Sequence, residues 1–61
     1  MNPDTIFQNA TDEELRIMRR ELLAAQQIAR TYSYNTADRE IGEMLNEILI
    51  EREYRAEREA S

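Results

Sequence analysis

Thr31-Tyr32-Ser33-Tyr34-Asn35-Thr36, near the middle of a 61-residue chain, decides how the rest is read. Ser, Asn and Thr side chains bond to nearby backbone groups, which favours turns and helix caps over helix interiors. On either side runs a long stretch dominated by Leu, Ala, Arg, Gln and Glu, all good helix formers. The pattern predicts an all-α fold: an antiparallel helical hairpin with helices over residues 12–32 and 37–57. The whole chain, 1–61, reads as one small helical domain. Residues 1–10 form an N-terminal arm or short helix, and residues 58–61 a frayed tail.

The first helix has a sharp start. Thr11-Asp12-Glu13-Glu14 fits the capping box, a Thr followed three residues later by Glu. The three acids also lie where the helix dipole favours negative charge. Leu15, Met18, Leu22, Ala25, Ala29 and Tyr32 then recur at spacings of three and four, close to a heptad seam. In this reading Tyr32 plugs the core at the turn. Projected at about 100° per residue, Arg16, Arg19, Arg20, Gln27 and Arg30 gather around Leu23 on a second face. Ile17, Ala24 and Ile28 make a further apolar strip. A lone hairpin buries only one flank of each helix, so that strip calls for a second neighbour.

Outside this helix the signals are of mixed strength. Asn2-Pro3-Asp4 suits a helix start with Pro3 at the first helical position. Ile6 and Phe7 would then lie over the open end of the hairpin. Asn35 or Thr36 is expected to cap the second helix, with Asp38 in its first turn. Ala37, Ile41, Met44, Leu45, Ile48 and Leu49 make its inward face. Gly42 lies off the centre of that face, where it either permits close approach or is tolerated at about 1 kcal/mol against Ala. After Ile50 the sequence is polar but helix-forming, and Glu51–Arg55 and Arg55–Glu59 have the spacing of stabilising pairs.

Charge is distributed unevenly. The chain carries 13 acids and 8 bases, a net charge of −5, and every base is Arg. The first helix is neutral and the second is acidic. Glu40, Glu43, Glu47 and Glu51 follow the helical repeat and share a face of the second helix. An Arg stripe and a Glu stripe on separate helices set orientation and partner choice between copies more than raw affinity.

Several function classes drop out. Cysteine and histidine are absent. That removes disulfides, thiolate or imidazole metal sites, and Cys or His nucleophile–base pairs. Carboxylates such as Glu40 and Glu47 suggest a di-metal bundle, but such sites need a Glu-x-x-His motif. Ser33 and Ser61 have no His or Lys to activate them, and one Gly cannot build a phosphate loop. No catalytic residue, cofactor, metal or small-molecule substrate is expected. Overall acidity weighs against anionic membranes and nonspecific nucleic-acid binding. With no basic region leading into an apolar run, no signal peptide is expected, and the chain reads as soluble and cytoplasmic.

A chain this short buries only about 60% of its unfolded surface, and such domains use a staple or a partner chain. With disulfides and thiolate or imidazole metal sites excluded, assembly into a helical bundle, as a homodimer or on another protein, is the expected route. Ile17, Ala24, Ile28 and Ile50 are the oligomer-interface candidates. The Arg stripe, Tyr34 at the tip and the Glu stripe are the partner-binding candidates. The expected function is a non-catalytic protein–protein interaction module: an adaptor, assembly factor or inhibitor. The alternative is a nucleic-acid-linked regulator. In size, charge and topology the predicted hairpin is similar to the plasmid copy-number regulator Rop, an acidic hairpin dimer that binds RNA. That likeness would give Arg16, Arg19, Arg20, Gln27 and Arg30 a role on phosphates and bases. The Glu stripe would instead imitate nucleic acid and fill a basic groove.

Overall fold

The computed structural model describes residues 7–60, and the expectations for Asn2, Pro3, Asp4 and Ile6 lie outside them. Two helices pack antiparallel: α1, Asp12–Thr31, and α2, Asn35–Ala60. Among the described residues there is no strand. The hairpin expected from the sequence is the fold.

The capping box forms as read. The Glu14 amide donates to Thr11 Oγ1 at 3.1 Å, and the Thr11 amide donates to Glu14 Oε1 at 2.9 Å. Those bonds favour the carboxylate form, and the backbone bond from Thr11 is the main reason Glu14 sits below its ordinary pKa. Ahead of the box, residues 7–10 make a single turn closed by the Ala10 amide on the Phe7 carbonyl at 3.0 Å. Phe7 does not sit over the open end. It is half-buried on the flank, sharing a shallow apolar depression with Met18, Leu22, Ala25 and Met44.

The connection is tighter than six residues. α1 ends in a Schellman arrangement: the Ser33 amide reaches the Arg30 carbonyl at 3.3 Å and the Tyr34 amide reaches Ala29 at 2.7 Å. Ser33 supplies the left-handed conformation, φ 60°, which glycine usually provides. The Asp38 amide already bonds to the Tyr34 carbonyl at 2.9 Å, so Tyr34 holds the cap position of α2. Asn35 and Thr36 are therefore not caps but the first two residues of the helix. Arg30 and Asp38 pair across the turn at 3.3 Å.

Three further expectations are corrected. Tyr32 is 66% exposed rather than a core plug, because it is the C-cap of α1 and leaves the helical path before the seam would claim it. It stacks instead on Tyr34, with ring centroids 6.0 Å apart and planes 27° apart. Leu49 is 53% exposed, since Ile48 takes the inward position and the next residue turns about 100° away. α2 does not fray after residue 57 but continues to Ala60. Its last turns are tied by Arg55 and by Arg58, whose guanidinium lies 5.9 Å from the Tyr54 ring centroid.

The core is small. Among the described residues only Leu15, Ala29 and Ile48 are fully buried apolar side chains. Gly42 does not mark a close helix approach: a Cβ there would meet only the flexible Gln26 amide, at 3.6 Å.

Candidate functional site

The sequence points to three surfaces, and the hairpin places them apart. The Arg stripe stands on the outer side of α1. Arg16, Arg19, Arg20, Ile17 and Leu23 share a shallow depression of about 560 Å³ with Glu13. Thus Ile17, read as an oligomer-interface residue, and Leu23, read as a partner-binding one, belong to one surface. Arg16 pairs with Glu13 one turn earlier, which offsets part of its charge. Arg30 is drawn off to Asp38. The ion pairs among the described residues involve neither Arg19 nor Arg20. Gln27, Ala24 and Ile28 are exposed, Ile28 at 57%.

The Glu stripe breaks up along its length. Glu40 and Glu43 are exposed and Glu47 is half-buried, but Glu51 is 4% exposed. The surface stripe therefore ends at Glu47, and Glu51 is corrected from a partner-binding residue to an internal one. Gln8, Thr11, Tyr54 and Arg55 lie around it. Ile50 stays 40% exposed next to the stripe.

Arg55 organises this end of the hairpin. Its Nε donates to Glu51 Oε2 at 2.8 Å and its Nη1 to Asp12 Oδ1 at 2.6 Å. Its Nη2 donates to the Ala10 carbonyl at 2.5 Å, with the Gln8 and Phe7 carbonyls at 3.4 and 3.5 Å. One guanidinium thus joins the last third of α2, the start of α1 and the turn before it. The bonds to Glu51 and then Asp12 hold its pKa above the ordinary arginine value. With its donors committed there, no Arg55–Glu59 pair forms among the described residues. The sequence reading gives Arg55 only local pairs, with Glu51 and Glu59. A stronger signal was present: residues 41, 44, 48, 51 and 55 continue one seam at spacings of three and four, so Glu51 and Arg55 occupy core positions.

At the tip, Tyr34 is 60% exposed and stacks on Tyr32. Arg30 and Asp38 pair beside it. Among the described residues no group of three or more acidic side chains gathers where it could hold a metal ion. None of the described helices is long and apolar enough to cross a membrane. No protein-family model, curated protein or solved structure matches the chain.

Proposed function

We propose that this chain is a small, non-catalytic protein–protein interaction module, an adaptor, assembly factor or inhibitor, that works as a homo-oligomer. One observation carries this reading: among the described residues more large aliphatic side chains are left in water than are buried. Ile17, Leu23, Ile28, Leu49 and Ile50 are each exposed by more than a third, against the three-residue core. Burying a Leu or Ile fully is worth about 1.5–3 kcal/mol, so completing the burial of five half-exposed ones offers roughly 5 kcal/mol. That is comparable with the whole stability expected of a chain this size, about 3–9 kcal/mol. The residues surround the hairpin rather than forming one patch, as expected of helices that take neighbours on several flanks.

The test is sedimentation together with thermal melts across a wide range of protein concentration. Association that raises the melting temperature with concentration supports the reading. A well-folded monomer whose melting temperature does not move with concentration refutes the self-assembling form.

A second reading keeps one observation in its favour. Arg19 and Arg20 are exposed, adjacent to Arg16, and free of the ion pairs seen among the described residues. That is a short basic surface of the kind that positions a protein on phosphates. RNA or DNA retention that disappears when Arg16, Arg19 and Arg20 become Glu would support it. No retention by the native chain would end it. The acidic-mimic form is weakened, because burial of Glu51 shortens the negative run to three residues.

A further inference from the structure

The Arg stripe and the Glu stripe face opposite sides of the hairpin. Three observations place the Arg side: Arg30 pairs with Asp38, Gln26 meets Gly42, and Arg16 shares a depression with Arg52 and Ala56. The other side is fixed by Phe7 beside Met18 and Met44, and by Glu51 beside Gln8 and Tyr54. Glu40 and Glu47 project to that second side from α2, at the helical spacing that links them to Met44 and Glu51. Each stripe has an exposed aliphatic residue of similar openness: Leu23 at 41% in the Arg stripe and Ile50 at 40% beside the Glu stripe. Neither Arg19 and Arg20 nor Glu40, Glu43 and Glu47 enter the ion pairs among the described residues.

From this arrangement we infer that copies of the chain join head to tail, the Arg stripe of α1 in one copy seating on the Glu stripe of α2 in the next. The inference rests on the self-assembling reading above and specifies its symmetry. A two-fold dimer uses the same patch on both partners. Here it would set Arg against the α2 side that lacks the Glu stripe, or acid against acid, leaving one stripe of each copy unmatched. A heterologous contact matches both stripes on every copy, and it closes into a ring or continues as a row of alternating helices. Leu23 and Ile50 supply the apolar contact within each junction, and the flanking charges fix which surface meets which.

The experiment is sedimentation velocity on the full chain and two charge-reversed variants, with helicity checked for each. One variant carries Arg19→Glu with Arg20→Glu; the other carries Glu43→Arg with Glu47→Arg. The native chain is expected to form species larger than a dimer at about 0.1 M salt, where the screening length is about 10 Å, and to lose them near 1 M, where it is about 3 Å. Each variant alone is expected to lose the large species, and a one-to-one mixture to regain them. The Glu-to-Arg variant is less acidic overall, so association governed by net charge would increase in it; the inference requires a decrease. A species that stops at a dimer, persists in high salt and ignores both charge reversals overturns the head-to-tail arrangement while leaving the self-assembling reading intact. A monomer under every condition overturns both.

Discussion

Replacing Arg55 with Met tests whether the ionic cluster holds the open end of the hairpin together. The substitution keeps most of the side chain's length and removes the guanidinium. Three consequences follow, and they differ in size. The Asp12 partner is 78% exposed, so that bridge behaves as a surface pair worth about 0.2–1 kcal/mol. The carbonyls of the 7–10 turn exchange a charge-assisted donor for water, at roughly 1 kcal/mol. The largest cost is at Glu51, whose side chain is 5% exposed and would lose its 2.8 Å bridge to Arg55. Breaking a buried pair from one side costs about 3–5 kcal/mol. The lower end applies here, because the Arg55 side chain is 21% exposed and water can enter as it leaves. The expected loss is about 4–5 kcal/mol, a large share of the roughly 3–9 kcal/mol available. At about 4–8 °C per kcal/mol for a small domain, melting should fall by at least about 16 °C. The assay is thermal and urea denaturation followed by circular dichroism at one fixed protein concentration. Adding Glu51→Leu to Arg55→Met removes the buried charge as well and should restore stability to within about 1 kcal/mol of the native chain. A loss below about 1 kcal/mol for Arg55→Met, or a double variant no better than the single one, would refute the account.

Three other substitutions probe the local reading. Gly42→Ala should stabilise the chain by about 0.5–1 kcal/mol, since the helix gains propensity and the new methyl meets only the movable Gln26 amide at 3.6 Å; an unchanged or lower urea midpoint would show that the space is not there. Ser33→Gly should add up to about 1 kcal/mol by relieving the left-handed conformation at φ 60°, again read from denaturation. Thr11→Ala should cost about 1 kcal/mol through the lost cap. The same variant has a pH signature. Glu14 in the native chain titrates below its ordinary value, so the fold favours its ionised form. Its contribution is present at neutral pH and is lost as pH falls through that lowered pKa. NMR titration should place Glu14 below the usual glutamate range in the native chain and return it towards that range in Thr11→Ala.

The start of α1 and the existence of the hairpin were legible because they rest on local rules. A capping box involves four neighbouring residues, and the seam from Leu15 to Ala29 is a simple repeat. The end of α1 was harder to read because Ser33 takes the left-handed position that glycine would have advertised. Misplacing that boundary moved the expected cap of α2 by one or two residues and put Tyr32 in the core. Leu49 was misplaced because three successive aliphatic residues, Ile48, Leu49 and Ile50, give no contrast from which to pick the inward one. The candidate surfaces were legible as stripes, but their relation was not. A helical projection orders the residues around one helix and leaves open which side of the partner helix each stripe shares. That relation needed the Gln26–Gly42 and Phe7–Met44 proximities.

The ionic end of the hairpin bears on why association and folding should be linked in this chain. The seam of α2 is apolar from Ala37 to Ile48 and then turns into Glu51 and Arg55. A buried pair of this kind contributes little net stability compared with apolar residues of similar size, since the desolvation of both charges offsets their attraction. Its three-way bonding instead fixes how α2, Asp12 and the 7–10 turn sit together. Of the α2 seam positions 37, 41, 44, 48, 51 and 55, the last two are thus charged, and among the described residues three apolar side chains are completely buried. Ile17, Leu23, Ile28, Leu49 and Ile50 meanwhile stay exposed by more than a third. On the proposed reading, the stability of the chain and its affinity for the next copy draw on the same apolar surface, and measured stability should rise with concentration. Substituting Ile28 with Ser should then leave the isolated hairpin nearly unchanged, within about 0.5 kcal/mol as for other surface positions. The same change should flatten the concentration dependence of melting. If it melts the dilute chain as severely as the concentrated one, the outward aliphatic residues serve the single chain and the link between folding and association fails.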